Sequence, residues 1–269
     1  MGESRGGDSD ARPLAGRGIV VTRPQAQAAN LAARIERAGG IVFACPAIEI
    51  ADVDDPRGLH ALIDGLERFD LAIFVSPTAV VQAMRVIRDR RGARAWPERL
   101  RVAAIGRGSR RALERAGFEN VIAPATQADS EALLAQPELA EPRGRRVVIF
   151  RGEGGRATLA DTLRARGAEV VYAECYRRRR PRLDCAPLLA AWTRGAVHAV
   201  TVSSSEGLRN LADLLGAAGR QWLCSTPLFV PHDRVLRNAT QLGVREVRVA
   251  GSSDAEVVDS LVAYFARAK

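Results

Sequence analysis

The feature that most constrains this chain is an alternation of short β-branched apolar runs with amphipathic helical segments, a pattern that is written twice. The runs fall at 19–21, 41–44, 71–75, 102–105, 121–123 and 147–150, then at 170–173, 197–202, 228–230 and 247–250. Between them lie segments such as 26–38, where Ala28, Leu31, Ala32 and Ile35 recur at helical spacing. Strands that alternate with helices in this way predict parallel sheets covered on both faces, here with ten strands in all. Arg23, Leu31, Ile35, Gly39 and Val42 return 128 positions later (151 minus 23) as Arg151, Leu159, Leu163, Gly167 and Val170, and Ser76 returns at the same spacing as Ser204. Gly117 and Val121 return 126 positions later as Gly243 and Val247. A duplicated α/β unit predicts two similar lobes, with the ligand position between them and outside the carboxyl ends of the strands.

Composition narrows the class. With 47% hydrophobic and 26% charged residues among 269, the chain has the make-up of a folded globular protein with room for two cores. No apolar run approaches the roughly 18 residues of a spanning helix, and the polar, Gly-rich start does not read as a secretion signal. Gly2 does not begin a myristoylation motif, because Gly6 stands where Ser or Thr is needed. The expectation is a disordered leader over 1–15 on a cytoplasmic protein with no membrane partner. Cys45, Cys175, Cys185 and Cys224 form no CxxC pair, and His60, His198 and His232 form no HxxxH pair, so no metal site is expected and the thiols read as buried and inert. The net charge is +9 (40 minus 31), carried almost wholly by arginine, since Lys269 is the only lysine. Such a balance suits a polyanionic partner, and it equally suits a chain that uses arginine as its ordinary surface cation.

Candidate site residues cluster just after the predicted strands: Thr22 and Arg23, Ser76, Ser109 behind Gly106, Arg151 to Arg156, Ser204, and His232 with Arg234. Ser76, followed by Pro77, and Ser204 also have the form of helix N-caps. The sharpest local signal is Arg151-Gly152-Glu153-Gly154-Gly155-Arg156 between a strand and a helix, where Gly152 and Gly155 allow close backbone approach and Arg151 and Arg156 add charge-assisted donors for an anion. The same stretch matches the dinucleotide pattern Gly152-x-Gly154-x-x-Ala157, with Glu174 about 20 residues on, so an NAD(P)-dependent oxidoreductase stands as a rival reading. A non-catalytic two-lobed anion-binding protein is a third. The run Arg177-Arg178-Arg179-Arg180 reads as a solvated connector; it lacks the interleaved aromatics of a nucleic-acid patch, and no nucleic-acid partner is expected. Tyr176 precedes it at a crossover between lobes, open to either a packing or a chemical role.

Taken in order, Val21-Thr22-Arg23-Pro24-Gln25, Ile73 to Val80, Ala104-Ile105-Gly106, Ser130-Glu131-x-Leu133-Leu134, Phe150 to Arg156, Arg166 to Val170, Tyr176-Arg177-Arg178, Val202 to Leu208 and Val230-Pro231-His232 resemble the uroporphyrinogen-III synthase family over nearly everything from Gly16 onward. Where that family often has Thr, Ser109 stands here, and Asp233 replaces a frequent Pro. The resemblance implies two flavodoxin-like lobes with parallel five-stranded sheets, joined by a two-stranded connector. It maps the discontinuous lobe to 16–47 and 177–269 and the inserted lobe to 50–174. It also implies a lyase without cofactors whose substrate is hydroxymethylbilane, a linear tetrapyrrole with eight carboxylates; a monomer is expected. Loss of the terminal hydroxyl leaves an azafulvenium cation, and ring closure through a spiro intermediate inverts the fourth pyrrole. The enzyme's main task is then to fold a reactive chain so that the substituted carbon attacks. Tyr176 matches the family's candidate for assisting hydroxyl departure.

Overall fold

The computed structural model describes residues 12–92, 96–125 and 129–267. In chain order the elements are β1 (Gly18–Val21), α1 (Gln25–Arg37), β2 (Ile41–Ala44), β3 (Glu49–Ala51), α2 (Arg57–Asp64), β4 (Leu71–Phe74), α3 (Pro77–Arg91), β5 (Arg101–Ala104), α4 (Arg107–Arg115), β6 (Val121–Ile122), α5 (Ser130–Leu134) and α6 (Pro137–Ala140). The second half continues with β7 (Arg146–Gly152), α7 (Thr158–Ala165), β8 (Glu169–Arg179), α8 (Ala186–Thr193), β9 (Ala199–Thr201), α9 (Ser205–Ser225), β10 (Leu228–Val230), α10 (Asp233–Leu242), β11 (Val247–Val249) and α11 (Asp254–Arg267).

The chain divides into two compact units. One is formed by the residues up to Glu49 and from Arg179 onward, the other by Ile50–Arg178. The first holds a five-stranded parallel sheet in the order β2-β1-β9-β10-β11, and the second a sheet in the order β3-β8-β7-β4-β5-β6. Period-two alternation fills both faces of each sheet, as expected for buried parallel strands. In the first unit Val20, Val200, Leu228 and Val230 pack on one face while Ile19, Val21, Ala199 and Phe229 pack on the other. In the second, Ala72, Phe74, Val148 and Phe150 oppose Leu71, Ile73, Val147 and Ile149, and the Phe74 and Phe150 rings stack at 4.7 Å.

The internal repeat explains the strand orders. It relates β1 to β7, β2 to β8, β4 to β9 and β6 to β11, and with these equivalences the two sheets run in the same order apart from the edge strand β3. Each sheet therefore combines the first two strands of one copy with the last three of the other, and the second sheet adds β3 at its edge. Strand order reverses between β1 and β9 in one sheet and between β7 and β4 in the other, and ligand crevices of doubly wound sheets form at such switch points.

Three expectations need correction. The second sheet has six strands, because Glu49–Ala51 pairs with β8; three half-buried residues are too few for a periodic signal. β8 runs for 11 residues, so Arg177 and Arg178 belong to the inserted unit, and Arg177 to Arg179 continue a strand. Of the leader, 1–11 lie outside the described residues, but 12–15 are folded: Leu14 is fully buried and its N–H donates to Ala38 O at 2.8 Å.

Candidate active site

At the carboxyl end of β7 the register against β8 slips. Arg151 lies opposite Glu174 but Gly152 lies opposite Tyr176, leaving Cys175 as the extra residue of a bulge. A bulge re-aims the side chains that follow it, and here the successive residues Cys175 and Tyr176 are both buried. The Tyr176 ring lies in the space a side chain at Gly152 would need, since a Cβ there would stand 2.7 Å from the ring. Glycine at 152 thus makes room for an aromatic ring of the protein itself, in the place the dinucleotide reading would leave for a pyrophosphate.

The Tyr176 hydroxyl is 3.3 Å from Ser76 Oγ, and Arg178 Nη2 donates to it at 3.2 Å. Ser76 caps α3, its Oγ accepting from Ala79 N at 3.0 Å. Its own proton is then shared between the phenol and anything bound beside it. Because Arg178 fills an acceptor site on the phenol oxygen, the phenolic proton is directed to Ser76 or outward.

Around this pair opens a pocket of about 190 Å³, lined by Ser76, Ser130, Arg151 to Arg156, Tyr172, Tyr176 and Arg178. Arg151 is 7% exposed, yet no carboxylate among the described residues pairs with it. Its Nε and Nη1 donate only to the carbonyls of Gly152 (3.2 Å) and Arg156 (3.4 Å), and its guanidinium stacks 4.5 Å above the Tyr172 ring. Gly155 has φ +106°, and a Cβ there would stand 2.5 Å from Arg151 Nη2. That backbone angle favours glycine, and a side chain there would also have to push the end of Arg151 aside. A buried guanidinium without a counter-ion beside the N-terminus of α7 is built to receive an anion. Arg156 lines the same pocket from an exposed position, whereas Ser109 is buried in the first turn of α4 and does not line it.

The repeat-related strand end in the other unit is different. Thr22, 2% exposed, donates its hydroxyl to Thr201 O at 2.8 Å, which ties β1 to β9. Arg23, the counterpart of Arg151, forms an ion pair with Asp254, which also accepts from Asn30. Ser204 caps α9 through Gly207 N at 3.0 Å. A pocket of about 130 Å³ is lined there by Arg23, Thr201, Ser203, His232 and Ser252 among others, while Arg234 is exposed on α10 and outside that lining.

Sequence reasoning missed Arg178 and Tyr172. The arginine run hid the first: Arg177 pairs with Asp54, Arg179 with Glu49 at 2.6 Å and Arg180 with Asp213 at 2.9 Å, so only Arg178 turns to the pocket. Strand alternation would have placed Tyr172 on the face of Val170, but nothing in the sequence marks its hydroxyl as unmatched. Cys45, Cys175 and Cys185 are buried as expected, and burial pushes Cys45 and Cys175 up to about 12, whereas Cys224, at the end of α9, is only half-buried. Among the described residues no group of three or more His, Cys, Asp or Glu is placed to hold a metal, and no helix is long and apolar enough to cross a membrane.

The family model described as "Uroporphyrinogen-III synthase HemD" matches residues 29–258. The uroporphyrinogen-III synthase of Escherichia coli (strain K12) is 34% identical over 237 residues, covering 88% of this chain and 96% of its own length. Among solved structures, a mutant uroporphyrinogen III synthase from the extremely thermophilic bacterium Thermus thermophilus superposes with a TM-score of 0.58 at 16% identity, covering 94% of this chain and all of its own. The uroporphyrinogen-III synthetase of Helicobacter pylori 26695 superposes with the same TM-score at 11% identity, covering 92% and 99%. These two share the fold. With the family model spanning most of the chain and a relative at 34% identity, the chain belongs to the uroporphyrinogen-III synthase family.

Proposed function

We propose that this uroporphyrinogen-III synthase, a cyclising lyase, closes hydroxymethylbilane at the pocket beyond β7 and β4, with Tyr176 at the departing hydroxyl and Arg151 holding a substrate carboxylate. One observation carries the reading. Of the two repeat-related arginines, Arg23 is already neutralised by Asp254, while Arg151 is buried, lacks a carboxylate partner and lines the same pocket as the Tyr176 hydroxyl.

The phenolic proton of Tyr176 moves to the leaving oxygen as the C–O bond breaks, so that water departs and the azafulvenium cation remains. Arg178, which donates to the phenol oxygen, stabilises the negative charge that develops there. The substituted carbon of the fourth ring then attacks, and the spiro intermediate reopens and recloses inverted. The proton released as the final pyrrole regains aromaticity restores the phenol. Gly152, Gly155 and Arg156 shape the carboxylate seat, with Ser76 bridging to Tyr176. At the corresponding strand end of the other unit, the exposed His232 and Arg234 are proposed contacts for further carboxylates. Arg23, Thr22 and Ser204 support that end through the bonds described above, and Ser109 supports α4 from within.

The enzyme is further taken to act as a cytoplasmic monomer without a nucleic-acid partner. Each arginine of the 177–180 run has a protein partner, which leaves no free basic strip there for phosphates. The test is incubation of purified, chelator-treated protein with hydroxymethylbilane and no additive, followed by chromatography of the uroporphyrin isomers. Isomer III is the expected product; a strict requirement for a metal or nicotinamide would overturn the reading.

A further inference from the structure

We propose that Tyr172 is a second substrate-binding tyrosine, whose hydroxyl donates to a bilane carboxylate seated beside Arg151. The Tyr172 oxygen is buried and has no hydrogen-bond partner, although the residue lines the same pocket as Arg151, Gly155 and Tyr176. A buried hydroxyl left without a partner is destabilising and uncommon in a folded protein, which marks this one as waiting for a group that arrives with the ligand.

The surroundings choose the chemistry of that group. The Arg151 guanidinium stands 4.5 Å over the ring and that of Arg164 5.5 Å from its centroid. Arg164 is committed to Asp161 at 3.4 Å and to Val170 O at 2.9 Å, whereas Arg151 has no carboxylate among the described residues. With two guanidiniums lying over the ring, one of them without a carboxylate partner, an anionic acceptor fits this corner of the pocket better than a cationic donor. The repeat sharpens the point. The position 128 residues before Tyr172 is Ala44, next to a strand end whose arginine is paired with Asp254 (172 minus 44 is 128). An unpaired arginine and an unmatched hydroxyl thus occur together in one copy and are both missing from the other.

The identity of the carboxylate rests on the synthase reading, so the experiment separates the two. Tyr172→Phe keeps the ring under Arg151 and removes only an oxygen that bonds to nothing in the protein, so its Tm should equal or exceed that of the parent. KM for hydroxymethylbilane should rise about 10-fold with kcat nearly unchanged, as for loss of one hydrogen bond to a charged group. In parallel, ligand-observed NMR with tricarballylate reports carboxylate binding without any turnover, and the affinity should fall about fivefold in the variant. If the parent protein makes no isomer III yet tricarballylate affinity still falls, the carboxylate contact stands and the synthase reading fails. An unchanged KM in an enzyme that makes isomer III overturns the proposal.

Discussion

Replacing Arg151 by alanine is expected to lower kcat/KM for hydroxymethylbilane by about 10²-fold, mainly through KM, while the protein stays folded. Charge-assisted hydrogen bonds contribute about 1.5–3 kcal/mol each, and loss of one or two of them corresponds to an effect of this size. The fold should tolerate the change because the guanidinium has no carboxylate to orphan; its contacts are two main-chain carbonyls and one aromatic face. Removing a buried, uncompensated cation relieves a desolvation cost that offsets part of the lost packing. Arg151→Lys should recover only part of the activity, since a single ammonium cannot reproduce the fork that reaches both Gly152 O and a bound carboxylate. Steady-state kinetics with a thermal melt decide the matter: a folded Arg151→Ala enzyme with parental kcat/KM would reduce the glycine-rich stretch to a helix start.

How much of this could be read in the sequence depends on the scale of the signal. Strand and helix alternation marked ten of the eleven strands, because short continuous apolar runs between helical stripes stand out from the sequence around them. The eleventh, Glu49–Ala51, carries no periodic pattern and becomes a strand only by lying against the long β8. The repeat placed Arg151 and Ser76 opposite Arg23 and Ser204. It gave no sign that Asp254, 231 positions from Arg23, would neutralise one arginine and leave the other unpaired. Nor could it show that each sheet mixes strands of both copies, because the offset is blind to which copy a strand pairs with.

Local geometry hid the rest of the site. Tyr176 stood out beside an arginine run, yet what aims its ring is a bulge at Cys175 and a missing side chain at Gly152, and neither has a signature in a single sequence. Ser76 and Ser204 read identically as caps and do cap, each accepting from the N–H three residues on at 3.0 Å. Only the tyrosine hydroxyl at 3.3 Å from Ser76 sets the first apart.

Tyr176→Phe is expected to lower kcat by about 10²-fold with little change in KM, which corresponds to about 2.7 kcal/mol of transition-state stabilisation from a positioned proton donor. Phenylalanine keeps the ring in the gap at Gly152, so packing against the buried core of the inserted unit should survive. The deleted oxygen takes with it the bond from Arg178 and the contact to Ser76, both of which can turn to water at the pocket. Bilane that is not turned over closes by itself without inversion, so the variant's product mixture should also shift toward isomer I. A second variant separates this from a pure packing role. Gly152→Ala retains the hydroxyl but pushes a methyl to within 2.7 Å of the ring, and must displace the phenol. If packing alone matters, Gly152→Ala should be the damaging change and Tyr176→Phe nearly silent. If the hydroxyl acts on the leaving group, both should lose kcat, and Tyr176→Phe should do so without loss of Tm.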